Sequence, residues 1–222
     1  MESGNYVLSE NVSSFEKEFA QYLKIKYAVG VASGTDALIL ALRALGINQD
    51  DEIIIPANSY PTAFAVAEVS RRIKLVDIDS QTLNINPLKI EEKISKRTKV
   101  IIPVHLYGLI SPMKKILKIA QKHHLYVISD AAQAHGAILN DQKAGTISDI
   151  GCFSFYPTKN LGGFGDGGMV TTNNKKWAEK IKMLRMYGEK KRYQGLILGT
   201  NSRLDELQAA ILRVKLKSLD KL

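Results

Sequence analysis

The sequence predicts an α/β fold with a mostly parallel central sheet flanked by helices. Three observations carry this. Short apolar runs of strand length, such as "EIIIP" (52–56) and "LYVISD" (125–130), alternate with stretches of helical periodicity. Glycine and proline stand at many of the junctions between them. The alternation runs through all 222 residues without an internal repeat, a low-complexity linker or a composition break. One domain, 1–222, is the simplest count, and the length suffices for one sizeable core.

The elements come in this order. Ser13 and Glu16 fit a capping box, with Phe15, Phe19, Tyr22 and Leu23 at helical spacing, so a first helix is expected there. "YAVGVAS" (27–33) reads as a strand, and residues 35–45 as a helix ended by Gly46. Residues 52–56 form a short buried strand and 61–69 a helix. "IKLVDID" (73–79) is a strand, and 87–95 a helix with Pro87 in its first turn. "KVIIPVHLYG" (99–108) is a strand, 112–124 a helix, and 125–130 a strand closed by Asp130. "GCFSF" (151–155) and "GGMVTTN" (167–173) are strand-like. Helices at 175–187 and 203–219 finish the chain. In the last, Leu204, Leu207, Ile211, Leu212 and Leu216 share a broad face that needs a partner.

Composition narrows the function classes. A hydrophobic fraction of 45% with 24% charged residues is that of a soluble globular protein. No apolar run reaches the ~18 residues of a membrane span, and no signal segment opens the chain. The single cysteine, Cys152, leaves no internal disulfide and agrees with a reducing, cytoplasmic setting. The net charge of +9 is spread over 114–122, 175–182, 190–192 and 213–217. These groups read as solvated helix faces and loops, not as a nucleic-acid surface; a field that attracts anionic small molecules is the other reading.

Ligands of open α/β sheets bind beyond the carboxyl ends of the strands. Three segments put polar residues there. In Ser33-Gly34-Thr35-Asp36, free N–H groups at a helix start could hold a phosphate, or the residues could simply cap the helix. Asp130 could cap the segment after it, or keep a heteroaromatic nitrogen protonated, as pyridoxal phosphate requires. Lys159, in "SFYPTKNLGGFGDGGMV", is either a solvated loop lysine or a desolvated amine able to form a Schiff base. The residues alone leave each pair of readings open. Gly163 to Gly168 match G-x-G-x-x-G but open onto a strand pattern, which excludes a dinucleotide fingerprint. There is no Walker-type loop and no G-x-S-x-G elbow. His105, His123, His124 and His135 lack metal-ligand spacing with Cys152, so no metal site is expected.

Together, "SGTDALILALRALGI", "DEIIIPANSY", "DIDSQTLNI", "VIIPVHLYG", "ISDAAQAHGA", "GCFSFYPTKNLGGFGDGGMVTTN" and "TNSRLDELQAAILRVKL" resemble the DegT/DnrJ/StrS sugar aminotransferases, in the family's order and over nearly the whole chain. The resemblance implies the large domain of a fold type I pyridoxal-phosphate transferase. It implies Lys159 as Schiff-base lysine and proton shuttle, Asp130 at the pyridine nitrogen, and Gln133 at the ring's phenolic oxygen. Gly34, Thr35 and Ser154 would hold the phosphate and Tyr60 would stack on the ring. Asn201 would reach the phosphate in a neighbouring protomer, so a homodimer with shared sites is expected. The implied reaction moves an amino group from an amino acid, glutamate, to a nucleotide-linked keto-sugar. The last helix looks most like enzymes acting on dTDP-linked 3-oxo-6-deoxyhexoses. Dehydratases of the same fold carry histidine at the lysine position, where Lys159 stands here; a non-catalytic relic is the remaining alternative. Pro61-Thr62-Ala63 depart from the aliphatic residue and Ala-Thr that commonly follow the stacking aromatic. Against the family pattern the sequence looks truncated at both ends, lacking an N-terminal segment and the small C-terminal domain.

Overall fold

The computed structural model describes Gly4 and residues 6–221. Along the chain, α1 (Glu10–Leu23), β1 (Tyr27–Val31), α2 (Gly34–Leu45), β2 (Glu52–Pro56), α3 (Tyr60–Ala67) and β3 (Arg72–Val76) come first. Next are β4 (Thr98–Ile101), α4 (Met113–Lys122) and β5 (Tyr126–Asp130). A small hairpin, β6 (Ile138–Leu139) and β7 (Gln142–Lys143), precedes β8 (Ile150–Ser154), β9 (Gly168–Thr172) and α5 (Lys175–Leu184). A second hairpin, β10 (Glu189–Lys191) and β11 (Gln194–Gly195), leads to α6 (Glu206–Leu216).

Seven strands form one sheet in the order β1-β9-β8-β5-β4-β2-β3. Only β9 runs against the others, pairing antiparallel with both β1 and β8. The carboxyl ends of β1, β5 and β8 therefore share one edge of the sheet. Period-two alternation sends neighbouring residues to opposite faces. Ile53, Ile55, Ile128, Cys152 and Val170 pack under α2, α3 and α5. Ile54, Ile101 and Val127 meet Met113, Ile116 and Ala120 of α4 on the other face. Phe153 and Met169 meet α1 and α6, with Phe15, Phe19, Phe153 and Phe155 in mostly edge-on contacts.

Long-range polar contacts revise several local expectations. The capping box does not form. Ser13 lies inside α1 and donates to the Glu10 carbonyl. The α1 start is capped by Glu206, whose carboxylate accepts from the N–H groups of Ser9, Asn11 and Val12 at 2.6, 2.8 and 3.0 Å. Glu16 turns inward, accepts from the Gly30 N–H and pairs with the buried Arg185, which also donates to the Gly30 carbonyl. The helix expected at 87–95 is two short 3-10 turns, Pro87–Lys89 and Glu91–Lys93. The strand expected at 99–108 stops at Ile101, since Pro103 lacks an N–H for the ladder. The final helix starts at Glu206; its Leu212 and Leu216, with Leu204 just before it, pack in one cluster with Val12, Phe15 and Phe19, and Leu207 is exposed. The two small hairpins were not anticipated, and β10 carries Lys190 and Lys191. Among the described residues, no helix is long and apolar enough to cross a membrane.

Candidate active site

At the shared edge, the carboxyl ends of β1, β5 and β8 open into a cavity of about 530 Å³. Gly34, Thr35, Tyr60, Asp130, Gln133, Ser154 and Lys159 all line it.

The first wall is the start of α2. Ser33 is its N-cap and accepts from the Asp36 N–H at 3.1 Å. The cap reading therefore holds for Ser33. It still leaves the N–H groups of Gly34 and Thr35 without an intrahelical partner beside the cavity. Gly34 lies so close to β8 that an added Cβ would stand 2.6 Å from the Ser154 Cβ. Ser154 Oγ accepts from the Tyr156 N–H at 3.3 Å, which leaves its own proton free to donate. Two N–H groups, a hydroxyl and the positive helix end thus converge in a cradle suited to an anion.

The second wall is Asp130, 7% exposed at the end of β5. Its Oδ2 accepts from Thr62 Oγ1 at 2.7 Å and its Oδ1 from the Ala132 N–H at 3.2 Å. Burial pushes its carboxyl above the usual range, opposed by these two donors and the Lys159 charge. Lys159 itself is half-buried, in a turn closed by its N–H on the Tyr156 carbonyl at 2.9 Å. His135 lies beyond the cavity wall against Phe153 and Phe155. Burial first, then the Lys159 charge, holds it neutral, with a pKa of about 3.

At the mouth, Tyr60 is 74% exposed and meets Phe64 edge-on. Gln133 Oε1 accepts from the Tyr107 N–H at 2.9 Å, leaving the amide NH₂ free to donate. Asn201 is exposed, bridges to Met186 and does not line this cavity. The sequence reading missed three supporting hydroxyls. Thr62 and Ser59 stand behind Asp130. Ser202, buried, accepts from the Ala32 N–H at 3.2 Å and donates to Asp36 Oδ2 at 2.9 Å, so it fixes the α2 start from behind. Their signal is only a hydroxyl at a helix start or in a loop, which a single sequence offers in many places. Among the described residues no cluster of His, Cys, Asp or Glu is built to hold a metal ion.

The model of the DegT/DnrJ/EryC1/StrS aminotransferase family matches residues 1–222. The chain belongs to this family. It is 52% identical, over 99% of its length, to the dTDP-3-amino-3,6-dideoxy-alpha-D-galactopyranose transaminase of Aneurinibacillus thermoaerophilus and covers 61% of that protein. Its fold matches the crystal structure of S. venezuelae DesV in complex with a ketimine intermediate, with a TM-score of 0.97 and 45% identity. That match covers 99% of this chain and 60% of DesV. NtdA from Bacillus subtilis, with bound cofactor PMP, matches at a TM-score of 0.94 and 39% identity, over 99% of this chain and 51% of NtdA. The chain thus spans about three fifths of the length of the first two of these relatives. Its α/β sheet is that of the family's pyridoxal-phosphate-dependent members.

Proposed function

We propose that the protein is a pyridoxal-phosphate-dependent aminotransferase acting on a nucleotide-linked keto-sugar, with residues 1–222 forming its cofactor-binding large domain. One observation carries this reading: Asp130 and Lys159 line the same cavity as the Gly34–Thr35–Ser154 anion cradle. The residues fit the cofactor. The cradle sits where a side chain on Gly34 would fill it, and the buried carboxylate calls for a cationic partner.

When bound, the cofactor supplies an electron sink for charge developing at the substrate carbon. The Gly34 and Thr35 N–H groups and the Ser154 hydroxyl donate to its phosphate, aided by the α2 dipole. The Asp130 carboxylate holds a proton on the ring nitrogen. Tyr60 covers a ring face, and the Gln133 NH₂ donates to the phenolic oxygen. Lys159 Nζ would be the point of covalent attachment and the group able to carry a proton. An amine at that position, where dehydratases of this fold carry histidine, favours transamination.

The substrate is proposed as a dTDP-linked 3-oxo-6-deoxyhexose, in line with the transaminase name of the relative above, and glutamate as the amino donor. We place the enzyme in the cytoplasm, as a homodimer in which Asn201 reaches the neighbouring protomer's phosphate site. Borohydride reduction of the loaded protein followed by peptide mapping tests the core of this reading. The phosphopyridoxyl group is expected on Lys159; label on another lysine, or on none in the full-length protein, would refute it. Turnover with glutamate and the dTDP-keto-sugar then tests the substrate class.

A further inference from the structure

We propose that Thr62 is a positioning residue for this reaction: its hydroxyl, oriented by Ser59, holds the Asp130 carboxylate in place for the cofactor ring. The inference rests on the function proposed above.

Thr62 lies in the first turn of α3, fully buried, with Oγ1 at 2.7 Å from Asp130 Oδ2. An ionised carboxylate only accepts, so the threonine must donate. A hydroxyl has one proton to give. The 2.6 Å contact between Ser59 Oγ and Thr62 Oγ1 must then run from Ser59 to Thr62. The pair forms a one-way chain ending at the carboxylate.

The placement of Ser59 supports this. It occupies the N-cap of α3, where a serine hydroxyl ordinarily accepts from its own helix. Here it makes no such bond and spends its proton on Thr62 instead. With the Ala132 N–H on Oδ1, both oxygens of Asp130 are tethered. The titratable groups facing it are Lys159, from the loop after β8, and the buried Cys152 thiol on β8. Burial favours the neutral acid, which could not hold a proton on a ring nitrogen. A donor inside the protein, fixed before any ligand arrives, opposes this.

The test uses pyridoxal phosphate labelled with ¹⁵N at the ring. Its bound ¹⁵N chemical shift reports the proton on the ring nitrogen independently of turnover. Thr62→Val is expected to move the shift toward the unprotonated value. It should also slow the half-reaction with glutamate about tenfold, the scale of one hydrogen bond to a charged group, with KM changed by less than about twofold. Thr62→Ser should restore both, and Ser59→Ala should move both in the same direction by less. A wild-type shift in Thr62→Val, or a Thr62→Ser variant as impaired as the valine, would overturn the proposal. If the valine variant does not fold, an unchanged shift in Ser59→Ala overturns it. Asp130→Asn separates the two readings: if it too leaves the shift unchanged, the cofactor assignment fails, whereas a shift moved by Asp130→Asn but not by Thr62→Val removes Thr62 alone.

Discussion

Gly34→Ala is a sharp test of the anion cradle. The new methyl would stand 2.6 Å from the Ser154 Cβ and 3.2 Å from its Cα and Oγ. Carbon atoms rest ~3.5–4.0 Å apart, so about 1 Å of separation must be found. Ser154 cannot supply it, because β8 is locked between β5 and β9 and Ser154 pairs with Gly168. The start of α2 must move instead, carrying the Gly34 and Thr35 N–H groups with it. A shift of that size breaks a hydrogen bond of ordinary length. Loss of one bond to a charged phosphate is worth about 1.5–3 kcal/mol, and each 1.4 kcal/mol is tenfold in affinity. We expect pyridoxal phosphate to bind at least about tenfold more weakly, with about 1–3 kcal/mol of overpacking in stability. Absorbance titration should show this loss for pyridoxal phosphate but not for phosphate-free pyridoxal. Gly195→Ala, whose added Cβ would meet nothing closer than the Tyr187 carbonyl at 4.0 Å, is the control. Undiminished affinity for pyridoxal phosphate in Gly34→Ala, or an equal loss for pyridoxal, would show that the cradle does not hold the phosphate.

Asp130→Asn should still bind cofactor but slow half-transamination by at least ~100-fold, the scale of losing a key electrostatic partner; stopped-flow rates near wild type would make Asp130 a structural cap. Glu206→Ala should destabilise the fold by about 1–3 kcal/mol in urea melts, because three N–H groups at the α1 start lose a charged acceptor. Ser13→Ala, at the position a capping box would use, should change stability by less than about 0.5 kcal/mol; the reverse ranking would restore the capping box. Burial lowers the pKa of His105 to about 4, and burial and the Lys159 charge lower that of His135 to about 3. Below the ordinary value of about 6.5, the unfolded chain takes up protons that the folded chain refuses. Stability should therefore fall as pH drops from 6.5 toward 4, by up to about 1.4 kcal/mol per unit for each histidine. A flat dependence in urea melts at pH 6.5 and 5 would show that both rings protonate in place.

Much of the fold was legible because its signals are local. The β2 and β5 runs are buried and strand-like, and Gly46 takes the left-handed conformation, φ 83°, that closes α2. The elements that misread are those whose backbone answers to distant partners. Asp77 and Asp79 hold residues 84–86 through backbone bonds, and the 87–95 segment then makes only short turns. The site divides in the same way. Gly34, Asp130, Ser154 and Lys159 each sit where a strand ends or just beyond, so each is marked as a candidate by its own neighbourhood, while the role assigned to it comes from the family resemblance. Thr62 is 68 residues from Asp130, and Ser202 is 166 from Asp36. Only the sheet order, which places β2 and β5 on either side of β4, brings Thr62 to Asp130.

Glu16 shows why such contacts override a local motif. In sequence it is the fourth residue of Ser-x-x-Glu, and an exposed capping box would satisfy two N–H groups at a helix start. Folded, it is the carboxylate partner of Arg185, whose side chain is 9% exposed. Leaving a buried charge without its partner costs about 3–5 kcal/mol, whereas a cap is worth typically ~1 kcal/mol. Because α1 begins at Glu10, ahead of Ser13, Glu16 lies inside the helix and is free to meet this demand, and the N–H groups of the actual start go to Glu206, which the packing of α6 on α1 brings there. Arg185 is also tied to the cavity through its backbone. The carbonyl of Arg185 accepts from the Ser202 N–H at 3.0 Å, and Ser202 holds Ala32 and Asp36 at the start of α2. The residue that carries the buried ion pair is thereby linked, through its carbonyl and Ser202, to the backbone on which the anion cradle is built.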